Sequence, residues 1–437
     1  MAIFGESVSS PRLPNMTRPD ADKSSTNGSA HQTPAESFPS ESEAQAVALR
    51  LQRLLDEHDP RELDAREFRG HQYDAGLAWV HHSPHAGGMD ARPDLQVHVE
   101  RHLSRVGLTS RPAVEFFVYL AGPTIATHGT PEQCDRLLRP MFTGEELWCQ
   151  LFSEPGAGSD FAGLAARAVR DGDEWIVNGQ KVWNTLAHLA DRGMLVTRSD
   201  PEAPKHKGMT YFALDMHADG VEVRPLRQIT GEAEFNEVYL TDARISDEDR
   251  IGAEGEGWRV ALTTLSNERS AIGGATSEPK RGSGPIANLL EVWASLPEER
   301  RTPILRDRVA GLWIGAEVNR LTNLRAAAAR KSGNPGPEGS IAKLAFTQMN
   351  KEITEAEVDL LGSAGLTGYD YTFRRPETLS VTGENQGPRY AFMRARANSI
   401  EGGTSEVMRN ILGEQVLGLP GEPRVDKDIP WKDVPRS

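Results

Sequence analysis

Residues 147–160 read LWCQLFSEPGAGSD and change character within a few positions. The stretch begins as an apolar run typical of a buried strand and continues through Pro155 to Gly156 and Gly158. Proline cannot donate to a strand ladder and glycine allows close backbone approach, so we expect the strand to end in an exposed, tightly curved loop. Such a loop presents backbone N–H groups and small hydroxyls, which suit a phosphate or a flat polar heterocycle. Taken alone, the pattern is more typical of a simple connecting turn.

The composition places broad limits on fold and function. A chain of 437 residues exceeds what one hydrophobic core usually supports, which predicts two or three domains. The net charge of −14 argues against non-specific binding of nucleic acid or anionic membranes. Cys134 and Cys149 have neither metal nor redox spacing, which predicts buried free thiols in a reducing cytoplasm. The sequence shows no apolar run of membrane-spanning length and no signal pattern, so we expect an intracellular protein.

Changes in hydrophobic periodicity predict an α+β multidomain fold. Residues 1–43 are rich in Ser, Pro and small polar types, which predicts a disordered tail. Helical spacing over residues 44–146 predicts an all-α N-terminal domain. Alternating spacing over 147–256 predicts a middle antiparallel β-barrel or sandwich. Helical spacing returns over 257–420, which predicts a four-helix bundle, and 421–437 are expected to form a C-terminal tail.

Two local patterns lead to further structural predictions. Asn178-Gly179 lies between two apolar runs, which is typical of a two-residue β-hairpin turn. His81, His82 and His85 share one loop, but no carboxylate or cysteine stands beside them at ligand spacing. A surface loop is therefore favoured over a metal site, and the sequence predicts no bound metal.

Four motifs occur in an order that resembles the acyl-CoA dehydrogenase family. They are LFSEPGAGSD at 151–160, WIVNGQKVWNT at 175–185, LSNER at 265–269 and IEGGTSEVMRNILGEQVLG at 400–418. Four ordered motifs are far more specific than any one of them. The resemblance implies a flavoprotein that holds FAD between the β domain and the helix bundle, and that assembles as a tetramer built from dimers.

The resemblance assigns residues of the first motif to the cofactor and the substrate. Phe152 and Ser153 match positions that lie against the flavin ring, with a hydroxyl or backbone group at its polar edge. Gly158 and Ser159 match the turn beside the pyrophosphate of FAD and the acyl thioester.

Later motifs add further expected cofactor contacts. Trp183 and Thr185 match residues that cover the flavin face, with Thr185 placed to hydrogen-bond N5. Donors fixed near that edge favour hydride acceptance, because the reduced ring gains charge. Outside the other motifs, Trp183 would be interpreted as a plain core aromatic. Thr404 and Glu406 match positions near the adenosine half of FAD.

The implied chemistry needs a base. The α proton of an acyl thioester is weakly acidic, and a carboxylate whose pKa is raised by desolvation suits its removal. Family members carry the base at one of two positions. The late-motif position directly before the Gly-Thr pair falls on Gly402, with Glu401 one residue earlier. The helical Leu-x-x-Glu-Arg pattern is complete and places a carboxylate at Glu268. We therefore predict Glu268 as the base, with Glu401 as the alternative.

Other positions complete or weaken this correspondence. The resemblance implies that the N–H of Gly402 polarises the thioester oxygen and that Arg269 holds the helix or the substrate. The family's Arg-x-x-Phe-Gly segment, which grips FAD from a neighbouring subunit, is replaced by GATSEPKRGSGPIANLL at 274–290, where Arg281 is a candidate substitute. Residues 359–363, DLLGS, also depart from the family's Gln-Ile-Leu-Gly-Gly.

The resemblance implies an enzyme that converts an acyl-CoA to a trans-2-enoyl-CoA and passes electrons to electron-transfer flavoprotein or a similar acceptor. Two alternatives stay open. One is an oxygen-using flavoenzyme on the same fold, such as an acyl-CoA oxidase or a flavin monooxygenase. The other is a non-catalytic subunit of a mixed tetramer, which the altered FAD segments suggest, in place of a homotetramer.

Overall fold

The structure, a computed structural model, describes residues 41–108, 112–272, 280–331, 338–367, 371–379, 387–421, 423 and 426–435. Within these ranges, the side chains of 41, 112–113, 269–272, 326–331 and 338–339 are not described. Most of the predicted disordered tail therefore lies outside the described residues. Among the described helices, none combines the length and the apolar character that a membrane crossing requires.

The first folded section is helical, as predicted. Its described helices are α1 (Glu41–Glu57), α2 (Ala65–Asp74), α3 (Gln96–Arg105), α4 (Pro112–His128) and α5 (Pro131–Thr143). A capping box starts α5: the Thr130 hydroxyl accepts from the Gln133 N–H, and the Gln133 side chain accepts from the Thr130 N–H. Gly144, at a left-handed φ of 72°, ends the same helix.

The middle section is one eight-stranded sheet. Its strands are β1 (Trp148–Leu151), β2 (Arg167–Asp171), β3 (Glu174–Thr185), β4 (Arg192–Arg198), β5 (Met209–Asp215), β6 (Val221–Pro225), β7 (Phe235–Ser246) and β8 (Arg250–Ile251). The order is β6-β7-β3-β2-β4-β5-β8, with β1 beside β4. Most pairs are antiparallel, but β1 and β2 each pair with β4 in parallel. The strand that opens the first motif thus belongs to the same sheet as β3, which carries the second motif.

The hairpin predicted at Asn178-Gly179 is wrong, because β3 continues through both residues. Asn178 instead exchanges hydrogen bonds with Asp242 of β7, at 2.9 Å through its Nδ2 and at 3.0 Å through its Oδ1. A Cβ at Gly179 would lie 2.5 Å from the Cβ of Ala166, so this glycine allows close packing. The tight turn lies between β2 and β3, where Gly172 has a φ of 66°.

The last section is a helix bundle, which confirms the predicted order of helices, strands and bundle. Its described helices are α6 (Gly257–Ile272), α7 (Pro285–Ser295), α8 (Pro303–Lys331), α9 (Glu338–Leu361), α10 (Pro388–Ala395) and α11 (Ser405–Asn410). Helix α9 is central and contacts α6, α7, α8, α10 and α11. Helix α6 also packs on α4, where the hydroxyls of Thr124 and Thr264 lie 2.9 Å apart.

Two segments outside the helices return to the β domain. In residues 371–379, the Arg374 carbonyl accepts from the Ala233 N–H at 2.8 Å. In residues 426–435, the Trp431 N–H donates to the Ala203 carbonyl at 2.9 Å, and its indole Nε1 donates to the Gly163 carbonyl at 3.4 Å. Residues 426–435 of the expected C-terminal tail therefore contact loops of the β domain.

Candidate active site

A buried ion pair fixes the loop of the first motif. Lys181 of β3 is 0% exposed, and its Nζ donates to Glu154 Oε1 at 2.7 Å and to the Phe152 carbonyl at 3.1 Å. The Glu154 carboxylate also accepts from the backbone N–H groups of Ala165 and Ala166, at 2.7 and 2.9 Å. Both partners are thus satisfied inside the protein, as buried charges must be.

The sequence analysis missed this pair, although a signal for it was present. Side chains alternate along a strand, so Trp175, Val177 and Lys181 belong to the same face of β3. The first two are buried apolar residues. A lysine on that face requires a buried partner, and Glu154 of the preceding motif was the available carboxylate.

The first-motif residues divide into a core part and an open part. The Phe152 ring is 4% exposed and stacks on Phe161 with centroids 4.9 Å apart, so only its backbone can face a ligand. Ser153 is half-buried, and its carbonyl accepts from the Val182 N–H at 2.9 Å. Gly158 and Ser159 are exposed. An added Cβ at Gly158 would meet nothing within 4 Å, so the outer face of the loop has room for a ligand.

Trp183 departs from ordinary strand geometry in two ways. Its side chain is 58% exposed, and its φ of 62° lies in the left-handed region. The register of β3 against β7 shifts between Lys181 and Asn184, so Trp183 lies on a bulge. Its ring meets the ring of Phe235 edge to face, at 6.0 Å and 86°. A bulky residue at positive φ is strained and is typical of functional positions. This exposure excludes the plain core aromatic.

Asn184 connects the bulge to β1. Its side chain is buried and donates from Nδ2 to the Gln150 carbonyl at 2.9 Å. Its Oδ1 is buried and has no hydrogen-bond partner among the described residues. Thr185, half-buried at the end of β3, pairs with Phe235. Trp183 and Thr185 therefore flank a residue that is bonded directly to the strand of the first motif.

Glu268 lies where α6 meets this part of the sheet. Its half-buried carboxylate accepts from Gln150 Nε2 at 3.2 Å. Gln150 precedes Phe152 by two residues, so the predicted base adjoins the strand that leads into the loop. The sequence analysis missed Gln150. The available signal was a polar side chain within an apolar run, and it is the half-buried position of a strand with three buried residues.

Glu401 has a different environment. Its oxygens accept from Arg394 at 3.1 and 3.0 Å in a two-pronged ion pair, and Oε1 also accepts from Asn398 Nδ2 at 2.7 Å. Arg394 is largely buried, and its guanidinium lies over the Phe235 ring at 5.9 Å. Charge-assisted bonds of this kind are strong and occupy both oxygens of the carboxylate.

Lys343 of α9 holds the turn of the late motif, and the sequence analysis missed it as well. It is 1% exposed, and its Nζ donates to the carbonyls of Asn398 and Gly403 at 3.0 and 2.5 Å. Burial lowers the pKa of Lys343, against the opposing effect of Glu401, Glu268 and Glu406. A positive charge therefore lies within electrostatic reach of both candidate bases.

The late-motif turn ends in a capped helix. Gly402 and Gly403 have φ values of 64° and 95°, and the Thr404 hydroxyl accepts from the Val407 N–H at 3.1 Å to start α11. Glu406 is exposed and pairs with Arg409 at 3.2 Å. The side chain of Arg269 lies outside the described residues.

The segments that depart from the family pattern lie on the bundle. Arg281 is exposed, with its guanidinium over the Trp313 ring at 4.8 Å and its Nε 3.9 Å from Glu317. Asp359 pairs with Arg308 at 2.6 Å. Residues 274–279 of the altered segment lie outside the described residues.

The arrangement fits a flavin. An exposed aromatic ring, two half-buried hydroxyls at Ser153 and Thr185, and an open glycine loop lie at one end of the sheet. The orphaned Asn184 Oδ1 supplies a further polar atom there. Flat polar heterocycles are bound by such combinations of aromatic surface and few, fixed polar groups.

Comparisons with known proteins give the same family as the sequence resemblance. Three family profiles match consecutive parts of the chain: acyl-CoA dehydrogenase N-terminal domain at residues 41–145, middle domain at 149–243 and C-terminal domain at 255–417. Acyl-CoA dehydrogenase IpdE1 of Mycobacterium tuberculosis is 38% identical over 305 residues, which cover 69% of this chain and 74% of IpdE1. Acyl-CoA dehydrogenase FadE34 of the same organism is 38% identical over 348 residues, which cover 79% of this chain. The match spans 45% of the length of FadE34.

Solved structures support the same fold. The Tcur3481-Tcur3483 steroid ACAD superposes with a TM-score of 0.65 at 24% identity, covering 88% of this chain and 99% of the other. Acyl-CoA dehydrogenase from Geobacillus kaustophilus superposes with a TM-score of 0.64 at 23% identity, covering 87% and 99%. The three profile matches and the relatives at 38% identity show that this chain belongs to the acyl-CoA dehydrogenase family, whose members are FAD flavoproteins.

Proposed function

We propose that this chain is an FAD-dependent acyl-CoA dehydrogenase in which Glu268 is the base. The α C–H bond breaks with its proton passing to the Glu268 carboxylate, the β C–H bond breaks with loss of a hydride, and the Cα=Cβ double bond of a trans-2-enoyl-CoA forms. Bound FAD would supply the hydride acceptor. The observation that carries the proposal is the contact between Glu268 and Gln150, at 3.2 Å, which brings the carboxylate to the strand leading into the loop of the first motif.

Hydrogen-bond geometry favours Glu268 over Glu401 for this role. The base must bring a carboxylate oxygen to the α proton, and a two-pronged guanidinium pair occupies both oxygens of its carboxylate. Glu401 has that pair in Arg394 and a third donor in Asn398. Glu268 Oε2 accepts from the Gln150 side-chain amide at 3.2 Å, which places this carboxylate beside the strand of the first motif. We therefore assign Glu401 to holding the late-motif turn.

The remaining predicted residues have proposed roles that agree with their surroundings. Trp183 covers the flavin face, and the hydroxyls of Ser153 and Thr185 bond to its polar edge. Phe152 contributes through its backbone, because its ring is in the core. The exposed pair Gly158 and Ser159 faces the pyrophosphate and the thioester.

The late motif completes the proposed site. The Gly402 N–H polarises the thioester oxygen, and Arg269 supports the helix or the substrate. Thr404 and Glu406 lie near the adenosine half of FAD. The Thr404 hydroxyl already accepts from the Val407 N–H, so it would act toward FAD as a donor.

A stripe on α8 supports assembly into a tetramer. Ile314, Val318 and Leu321 follow at spacings of four and three, so they form one helix face, and each is more than half exposed. Contiguous exposed apolar surface is typical of subunit contacts. We propose a homotetramer built from dimers, or a mixed tetramer, which reduces electron-transfer flavoprotein or a similar acceptor in the cytoplasm.

Anaerobic flavin bleaching across a panel of acyl-CoA thioesters tests the function. Wild type is expected to be yellow and to bleach with at least one thioester. Glu268→Gln should slow bleaching by about 10²- to 10⁴-fold, the usual contribution of a general base. Glu401→Gln should keep the bleaching rate within about tenfold, because it disturbs only the turn.

Three outcomes contradict parts of the proposal. Full activity in Glu268→Gln removes the base assignment. Rapid reoxidation of the reduced flavin by air, with release of peroxide, identifies an oxygen-using enzyme. A purified protein that is colourless and gains flavin only with a partner chain identifies a subunit of a mixed tetramer.

A further inference from the structure

Gln150 is the side chain through which β1 contacts the proposed base. Its Nε2 donates to Glu268 Oε2 at 3.2 Å, and its own carbonyl accepts from Asn184 Nδ2 at 2.9 Å. One residue therefore joins the bundle helix to the strand segment that contains Trp183 and Thr185. We propose that Gln150 is a positioning residue that orients Glu268 and sets its proton affinity; this inference rests on the proposed function.

The backbone of Gln150 is well suited to hold a side chain in place. It lies within the parallel ladder of β1 and β4, opposite Met194. Asn184, which bonds its carbonyl, is buried and is itself held by Asn236, whose Nδ2 donates to the Asn184 carbonyl at 3.0 Å. A glutamate on a helix has several free torsions, so a donor fixed on the opposite layer limits the orientations of its carboxylate.

The same contact acts on protonation. An N–H that donates to a carboxylate stabilises the ionised form and therefore lowers the proton affinity of that carboxylate. Removing the Gln150 donor should raise the pH at which Glu268 becomes ionised. The acid limb of the profile of kcat/KM against pH would then move to higher pH, because the base is protonated up to a higher pH.

Other charged and titratable groups act on Glu268 or bond α6 from the neighbouring elements. From α9 comes Lys343, which interacts electrostatically with Glu268. Glu401 beyond it is paired with Arg394. From α4, His128 bonds the Thr263 hydroxyl at 2.8 Å, and from β5, Tyr211 bonds the Thr264 hydroxyl at 3.3 Å. The effect of Gln150 is therefore added to that of Lys343.

The first test is the pH profile of kcat/KM in Gln150→Leu, which keeps side-chain bulk and removes the donor. We expect the acid-side apparent pKa to rise by about one unit, since a hydrogen bond to a charged group is worth roughly that shift. Gln150→Glu should raise it further, because two carboxylates would then share the site. The matched control is Gln180→Leu on β3, whose amide donates to Glu237 and Tyr239 instead. Its profile should match wild type.

The second test needs no turnover. A double-mutant cycle combines Gln150→Leu with Glu268→Leu and measures urea unfolding at pH 7. We expect Gln150→Leu to change the unfolding constant about fivefold more when Glu268 is present than when it is leucine. Should Gln150→Leu fail to fold by circular dichroism, Gln150→Met replaces it in both experiments.

The outcomes separate this proposal from the proposed function. If wild type bleaches no flavin with any thioester, the dehydrogenase function fails while the unfolding cycle still tests the contact. If wild type is active but Gln150→Leu matches Gln180→Leu in pH profile and shows no coupling to Glu268, the positioning role is overturned. A pH shift together with coupling supports it.

Discussion

Replacing Lys181 with methionine should destabilise the β domain more than most single substitutions. Lys181 is fully buried and neutralises Glu154, which is itself buried within the first motif. Methionine fills much of the same volume but leaves the carboxylate without its counter-charge. Breaking a buried pair from one side is costly because a charge remains in a low-dielectric interior.

The size of the effect follows from the contacts that survive. Loss of one partner of a buried pair costs about 3–5 kcal/mol. Glu154 keeps the N–H donors of Ala165 and Ala166 at 2.7 and 2.9 Å, so the lower end applies. A loss of about 3 kcal/mol corresponds to a change of roughly 150-fold in the unfolding constant. Adding Glu154→Gln removes the stranded charge but keeps an acceptor, and it should recover about half of the loss.

The assay is urea unfolding at pH 7, with hydrogen exchange measured on peptides that cover residues 150–185. Faster exchange should concentrate in the loop and in β3, because the ion pair joins them. Lys432→Met is the matched control: its partner Glu202 is exposed, and unfolding should match wild type within error. A Lys181→Met protein within about 1 kcal/mol of wild type would refute the reasoning, as would a double variant no more stable than the single one.

Three further predictions concern separate features. Trp183→Gly relieves a positive φ, so the thermal midpoint of the flavin-free protein should equal or exceed that of wild type. The affinity for FAD should fall at least about tenfold in a fluorescence titration. Burial lowers the pKa of His82 to about 4, so the unfolded state binds the proton more tightly between about pH 6.5 and 4. The free energy of unfolding should therefore decrease as the pH is lowered across that window. This decrease should be smaller by up to about 2 kcal/mol in His82→Gln and the same as in wild type in the exposed control His85→Gln, as checked by urea midpoints. Trp431→Ala removes the indole that lies 4.9 Å from the Arg198 guanidinium, and deuterium uptake should rise in a peptide covering residues 153–163.

Local periodicity predicted the elements that bury one face. The strands of the middle section and the helices of both outer sections are present. The error at Asn178-Gly179 has a physical cause. A turn dipeptide carries the same signal when its asparagine bonds a neighbouring strand and its glycine makes room for Ala166. Both requirements arise from residues distant in sequence, so periodicity alone could not separate them.

The candidate site divides in the same way. The motifs provided Trp183, Thr185 and Glu268 as candidates, because those positions follow fixed patterns. They did not reveal Gln150 or Lys343. Gln150 contacts Glu268, 118 positions away, and Lys343 contacts Gly403, 60 positions away. The ion pair between Glu401 and Arg394 was equally invisible, because a sequence shows which carboxylates exist but not which of them are bonded to a cation.

The proposed base is held by a series of hydrogen bonds that begins and ends in the C-terminal section. Arg375, in a segment that follows α9, donates to Asn236 Oδ1 at 2.7 Å. Asn236 donates to the Asn184 carbonyl at 3.0 Å, Asn184 donates to the Gln150 carbonyl, and Gln150 donates to Glu268 on α6. Displacing α6 from the sheet would break the last of these bonds and leave the side-chain amide of Gln150 without this acceptor in a half-buried interface. The position of the carboxylate is therefore set by how the bundle docks on the β domain, and α6 alone does not determine it.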